Sequence, residues 1–214
     1  MQIEPIAYFH SPFSEKFGIP RQSGIVKELT GEIIFLPEYS SADAVRGLEG
    51  FDYIWLIWGF SMNGPGSSLT VRPPRLGGNE RVGVFASRSP FRPNPLGLSS
   101  VKVEELKDGR IKVSGADLAD GTPIFDIKPY ISYTDSHPDA ASGFVDQSVW
   151  KNLEVTIPEA TKNMFSEEEA KALAEVLSLD PRPKYHDDPQ RVYGMAFAGK
   201  NIRFRVEDEK IIVL

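Results

Sequence analysis

Residues 101–115 read VKVEELKDGRIKVSG, and their reading decides the fold. Two alternating runs flank Lys107-Asp108-Gly109, which is hairpin turn chemistry. Working outward, GEIIFL (31–36), FDYIWLIWGF (51–60) and RVGVFAS (81–87) are β-branched or aromatic runs bounded by Gly, Pro and Asp. A further strand pattern begins at Ile25. FDYIWLIWGF has too little alternation for a half-exposed strand, so it is expected at the centre of a sheet with both faces covered. SADAVRGLEG (41–50) reads as one short helix, opened by Ser40 or Ser41 and closed near Gly47 or Gly50. Many short strands with few helical patterns between them predict a mainly β protein built on a single-sheet, closed or nearly closed barrel.

The character changes after about residue 135. SHPDAASGFVDQ (136–147) is a turn-rich connection. Ser166-Glu167-Glu168-Glu169 is a capping box, and the helix it opens runs through AKALAEVLSL and ends before Pro181. VYGMAFAGKNIRFRV and EKIIVL supply two or three more strands. The expected organisation is therefore a barrel domain over 1–140 and a small α+β appendage over 151–214.

Composition narrows the function. The chain has 214 residues, no cysteine and three separated histidines, so disulfides, thiol nucleophiles and thiolate zinc sites are excluded and no metal is expected. Its start has neither a basic region followed by an apolar stretch nor a run long enough to span a bilayer, so a cytoplasmic protein with no membrane partner is expected. Net charge is −6, yet Arg72, Arg75, Arg81, Arg88 and Arg92 face only Glu80 between 72 and 92. A basic stripe on an acidic body suits a local anionic partner better than general nucleic-acid coating.

Part of that stripe is SRSPFRPNPLG (87–97). Pro90, Pro93 and Pro95 fix φ and push the residues before them out of the α region, so the segment is a pre-shaped loop that aims Arg88 and Arg92. In DLADGTPIFDIKPY (117–130), Asp120-Gly121-Thr122-Pro123 is turn chemistry, and Asp126 and Lys128 share one face of a strand. Neither G-x-G-x-x-G after a strand, nor a P-loop, nor a G-x-S-x-G elbow is present, and Asn63–Ser68 reads as a loop. Composition and spacing alone stop at a β-rich domain with a rigid arginine loop.

PRQSG (20–24), ADAVRGLEGFDYIWLIWGF (42–60), VRPPRLGG (71–78), RVGVFASRSPFRPNPLGLS (81–99) and DLADGTPIFDIKPY (117–130) closely resemble the TsaA-like family, the TrmO tRNA methyltransferases. The similarity spans about residues 3–135 and returns more weakly at DPRPKYH (180–186). The resemblance implies a barrel that binds S-adenosylmethionine without a Rossmann domain, methyl transfer to N6 of a threonylcarbamoylated adenosine beside the anticodon of a threonine tRNA, and a homodimer. It places cofactor contacts at Arg21, Gln22, Ser23, Ser61, Met62, Arg88, Leu98, Asp117, Leu118, Ala119 and Asp120. Family members often have His-Gln where this chain has Ser61-Met62; a backbone contact survives that change and a side-chain contact does not.

The chemistry is compatible. Arg88 can grip a carboxylate or phosphate through two parallel bonds, and aspartates can accept from ribose hydroxyls or sit near a sulfonium. A carbamoylated N6 is a poor nucleophile and must lose its proton, for which Asp120 or Asp126 is the candidate base; Lys128 can stabilise charge on the carbamoyl oxygen. Arg72 and Arg75 are expected on tRNA phosphates, and Arg92 on anionic groups of cofactor or RNA. The competing readings are a non-catalytic S-adenosylmethionine- or RNA-binding module and a metal-dependent hydrolase using Asp117, Asp120 and Asp126.

Overall fold

The computed structural model describes every residue except Met1, Pro65, Ser67, Pro74, Arg75, 77–79, 148–150, 183–187 and Pro189. The hairpin at 101–115 forms as expected, with a tighter turn. Strands β6 (Leu96–Lys107) and β7 (Arg110–Ser114) pair antiparallel with Lys107 opposite Arg110, leaving Asp108-Gly109 as a two-residue turn. Gly109 takes φ 71°, a value that favours a residue without a Cβ. A register shift between Val103 and Glu105 bends the twelve-residue β6, so its first half serves β3 (Tyr53–Gly59) and its second half β7.

With β1 (Ala7–His10), β2 (Thr30–Phe35) and β8 (Thr122–Pro129), these strands close an antiparallel barrel in the order β1-β2-β7-β6-β3-β8. Closure leaves no free edge. Ala7, Phe9, Ile33, Ile54, Leu56, Ile111, Val113 and Ile124 fill the interior.

Several local expectations change. β3 sits between two partners, but its faces differ: Ile54, Leu56 and Trp58 are buried and Trp55 and Ile57 are half-covered, because a barrel wall has an outside. The expected helix at 41–50 is two 3₁₀ turns, Ala42–Val45 and Leu48–Gly50, interrupted by Gly47 at φ 88°. In 81–87 only Val82–Gly83 (β5) is strand, paired with Thr70–Val71 (β4); Val84–Ala86 turns over into the proline loop. Ile25 opens no strand but lies in a succession of turns. β1 lies outside the runs that the sequence marks as strands.

The C-terminal stretch forms the sheet β10-β11-β12-β9, from Tyr193–Phe197, Lys200–Glu207, Lys210–Val213 and Glu154–Thr156, with β9 parallel to β12. Ala198-Gly199 and Asp208-Glu209 all have positive φ, the signature of type I′ hairpin turns. After two short helical turns, α1 (Ser132–Asp135) and α2 (Glu159–Lys162), the capped helix α3 spans Glu167–Ser178. Ser166 Oγ accepts from the Glu169 amide at 3.1 Å and the Glu169 carboxylate accepts from the Ser166 amide at 2.9 Å, so the expected capping box is present. Ala172, Leu173, Val176 and Leu177 of α3 pack with Met195, Phe197, Phe204 and Ile211 of the sheet.

This second core is not made from the C-terminal stretch alone. Phe13, Val26 and Leu29 are buried in it, and Phe17 and Ile19 pack against it. The segment 11–29 therefore leaves the barrel at β1, crosses the second core and returns at β2. Among the described residues no helix is long and apolar enough to cross a membrane.

Candidate functional site

Antiparallel pairing brings the start of β6, the end of β3, the end of β7 and the start of β8 to one end of the barrel. There the Trp58 indole N–H donates to Ser99 Oγ at 2.9 Å, and Ser99 Oγ donates to Asp117 Oδ1 at 2.5 Å. Trp58 reaches Ser99 by lying across Gly97, where a Cβ would collide with the indole ring. Asp117 follows β7 after the turn at Gly115, whose φ is 77°. Burial pushes the Asp117 carboxyl above the ordinary aspartate range; the Ser99 hydroxyl, its own amide, the Arg88 charge and the Ser23 amide oppose that shift.

The proline loop comes to the same rim. Ser87 Oγ donates to Val84 O at 2.9 Å, the Ser89 amide donates to Ser87 Oγ and the Phe91 amide to Ser89 Oγ, so the loop is held by its own serines as well as its prolines. Arg92 Nη1 donates to the Ser87 and Ser89 carbonyls at 3.0 and 3.3 Å, closing the loop on itself. Arg88 is exposed and donates to Gln22 Oε1. The turn that carries Gln22 is tied to the barrel by the Gly24 amide, which donates to Gly115 O at 2.8 Å. Gln22, Ser23, Arg88 and Asp117, far apart in the chain, thus meet.

The other expected cofactor positions lie around this cluster in different ways. Leu98 is exposed on the outer side of β6, one residue from inward-facing Ser99. Ser61 and Met62 form the exposed turn after β3. Leu118 and Ala119 are buried, leaving their backbone as the part that can meet a ligand, and Ala119 O already accepts from the Thr122 amide and hydroxyl. Arg21 is exposed beside Gln22.

The three candidate catalytic groups are not in this cluster. Asp120 is 3.3 Å from His10 Nδ1 and accepts from the Ser11 amide at 3.1 Å, on the wall of a cavity of about 470 Å³ that also includes Lys112 and Phe197. Asp126 and Lys128 form an ion pair at 2.9 Å on the outer face of β8, opposite Ile57 and Trp55. At about 3.3 Å per residue, Lys128 lies roughly 20 Å along the strand from Thr122 at the rim. Beside it, Tyr130 packs on Trp55, whose indole donates to Asp135 Oδ2 at 2.9 Å. Asp117, Asp120 and Asp126 therefore occupy three separate surroundings and do not converge as metal ligands.

Of the arginines expected on RNA, Arg72 is exposed after β4, Arg92 is half-buried in its loop, and Arg75 lies outside the described residues. Sequence reasoning missed Ser99, Trp58 and His10. Ser99 and Trp58 carry an inward-pointing strand position as their only signal, and His10 sits on a strand that no alternation marked.

The donor set fits S-adenosylmethionine. A half-buried carboxylate suits a cationic centre, and the Arg88 guanidinium two parallel bonds to a carboxylate. Comparison with known proteins agrees. Residues 8–136 match the tRNA-methyltransferase O N-terminal domain and residues 151–214 the TrmO C-terminal domain. The chain is 42% identical over 221 residues to tRNA (adenine(37)-N6)-methyltransferase of Escherichia coli (strain K12), covering 97% of this chain and 94% of that protein. It is 39% identical over 202 residues to the putative S-adenosylmethionine-dependent methyltransferase RcsF of Pseudomonas aeruginosa (strain PAO1), covering 90% and 87%. A crystal structure of TrmO superposes with a TM-score of 0.83 at 32% identity, covering all of this chain and 97% of the other. On this match, which spans both units and the barrel cluster alike, the chain belongs to the tRNA-methyltransferase O family.

Proposed function

We propose that the protein is an S-adenosylmethionine-dependent methyltransferase acting on N6 of adenine 37, beside the anticodon of a tRNA. The observation that carries this reading is the meeting of Asp117, Arg88 and Gln22 at the rim of a closed barrel, in a chain similar over nearly its whole length to a tRNA (adenine(37)-N6)-methyltransferase. The bound cofactor supplies the methyl group. Arg88 and Gln22 would hold its carboxylate end, Asp117 would meet its positive charge, and the backbone at Leu118 and Ala119 would be available to its adenine. Asp120, oriented by His10 and the Ser11 amide, is the acceptor for the proton that N6 must release on gaining a methyl group; a threonylcarbamoyl group on N6, as in threonine tRNA, makes that proton more acidic. Arg72 and Arg75 contact tRNA phosphates.

The reading extends to a homodimer in the cytoplasm. Phe85, Phe91, Leu96 and Leu98 are exposed around the proline loop, and an apolar rim of this kind suits a second copy. The test is to incubate the purified protein with labelled S-adenosylmethionine and tRNA from cells lacking the modification, then to analyse the nucleosides by mass spectrometry. N6-methylated threonylcarbamoyladenosine is the expected product. Cofactor binding with no methylated nucleoside would show a binding module instead.

A further inference from the structure

The segment 11–29 is anchored twice in the second core, and the cofactor turn lies between the two anchors. At its entry Phe13 packs edge-on against Phe197 at 5.4 Å, and Phe17 stacks on Phe204 at 6.3 Å. The Ala198 amide donates to Pro12 O at 2.8 Å, so the β10–β11 turn is joined to the same entry. Gly18, at φ 95°, lies so close to Met195 that a Cβ there would run into the thioether. At the exit Val26 and Leu29 are buried in the core, and the Gly115 amide donates to Leu29 O at 2.9 Å.

Between the anchors the chain is an arch. A cavity of about 510 Å³ separates its underside from the end of α3, lined by Ile19, Arg21, Ile25, Glu28, Glu175 and Leu179 among others. Among the described residues this cavity interrupts the packing beneath the arch, while the chain on either side of it is seated in the second core. Its attachments to the barrel rim include the Gly24 amide to Gly115 O, the Gln22–Arg88 bond and the Ser23 amide near Asp117.

We infer that the C-terminal unit acts as the seat of the cofactor turn, with Met195 and Gly18 as positioning residues that set where Arg21, Gln22 and Ser23 stand against Arg88 and Asp117. Loosening the entry footing lets the arch shift over the cavity beneath it, so binding must first restore the turn, and that cost appears as lost affinity. Glu175 reaches the arch from α3; burial and the nearby Glu28 charge hold its carboxyl above the ordinary glutamate range, while the Glu28 and Lys27 amides oppose this. The inference rests on the reading that residues 21–23 contact the methyl donor.

The test compares two truncations in the same core of the full-length protein. Met195→Ala removes the side chain under Gly18, whereas Ile211→Ala empties a site on β12. S-Adenosylmethionine affinity is measured by calorimetry well below each melting point, together with KM and kcat. Met195→Ala should weaken binding roughly tenfold and raise the cofactor KM with little change in kcat, as expected for lost preorganisation. Met195→Leu should restore affinity, and Ile211→Ala should leave it unchanged despite a lowered melting temperature. Equal loss in both Ala variants would mean general destabilisation and overturn the inference, as would no loss in either. Gln22→Ala separates the underlying reading: if it binds the cofactor like wild type, the turn is not a cofactor contact at all, whereas weakened Gln22→Ala with normal Met195→Ala removes only the seat.

Discussion

The barrel rim and the C-terminal unit are built by opposite means. In the C-terminal unit most joins are local: type I′ hairpins, a capping box and one amphipathic helix build a small core, which the parallel β9–β12 pair and the segment 11–29 complete. At the rim, the groups that matter come from residues 22, 58, 88, 99 and 117, and hydrogen bonds join strands β3 and β6 to Asp117 and the turn at Gln22 to the proline loop. Local contacts make a dependable support, while long-range joins gather polar groups from loops onto a rigid frame of strands. The two regions meet in one segment, 11–29, which takes its footing from the first and carries its side chains to the second.

If this division is right, rim substitutions should alter function with little effect on stability, and C-terminal substitutions the reverse unless they touch the shared segment. The largest effect is expected at Asp120, which stands beside the rim cluster rather than within it. Asp120→Asn should lower turnover about 10²–10⁴-fold while S-adenosylmethionine affinity and melting temperature stay near wild type. Asp126→Asn, measured in parallel, decides between the two carboxylates; normal single-turnover rates in both would assign the proton to another acceptor.

Next comes Arg88→Ala, which should weaken cofactor binding by about 2–3 kcal/mol, the scale of charge-assisted hydrogen bonds. Wild-type affinity by calorimetry would remove Arg88 from the site. Asp117 sharpens the same contrast through pH. Its folded-state carboxyl is raised, so its contribution to stability is present below the ordinary aspartate range and lost as pH rises through the raised value. A cationic ligand favours the ionised carboxylate, so cofactor affinity should increase as pH rises through that same window. Asp117→Asn should flatten the profile, and an unchanged profile would detach Asp117 from the ligand's positive charge.

The smallest effect belongs to the C-terminal unit. Ser166→Ala removes the cap of α3 and should cost about 1 kcal/mol, read as a lower melting temperature with unaltered cofactor binding. A change in cofactor affinity without a change in melting would blur the division between support and site.

The sequence alone determined what rests on local chemistry. The hairpin at 101–115, the capping box at Ser166, the proline loop over 87–95 and the barrel class were all legible, because turn residues, capping pairs and alternation act within a few residues, although Leu96 and Gly97, read as loop, already belong to β6. Where the local signal was ambiguous it misled: Ser41–Gly50 has helical composition, but Gly47 at positive φ divides it. Tertiary structure decided the rest. Nothing local tells that β1 closes the barrel, that Trp58 and Ser99 line up behind Asp117, or that Asp126 and Lys128 face outward some distance from the rim. Nor does it tell that Phe13 and Leu29 bury themselves in a core formed about 150 residues later. These are pairings between residues distant in the chain, chosen by the burial of apolar surface and the closing of the sheet, and no short stretch of sequence carries their partner's address.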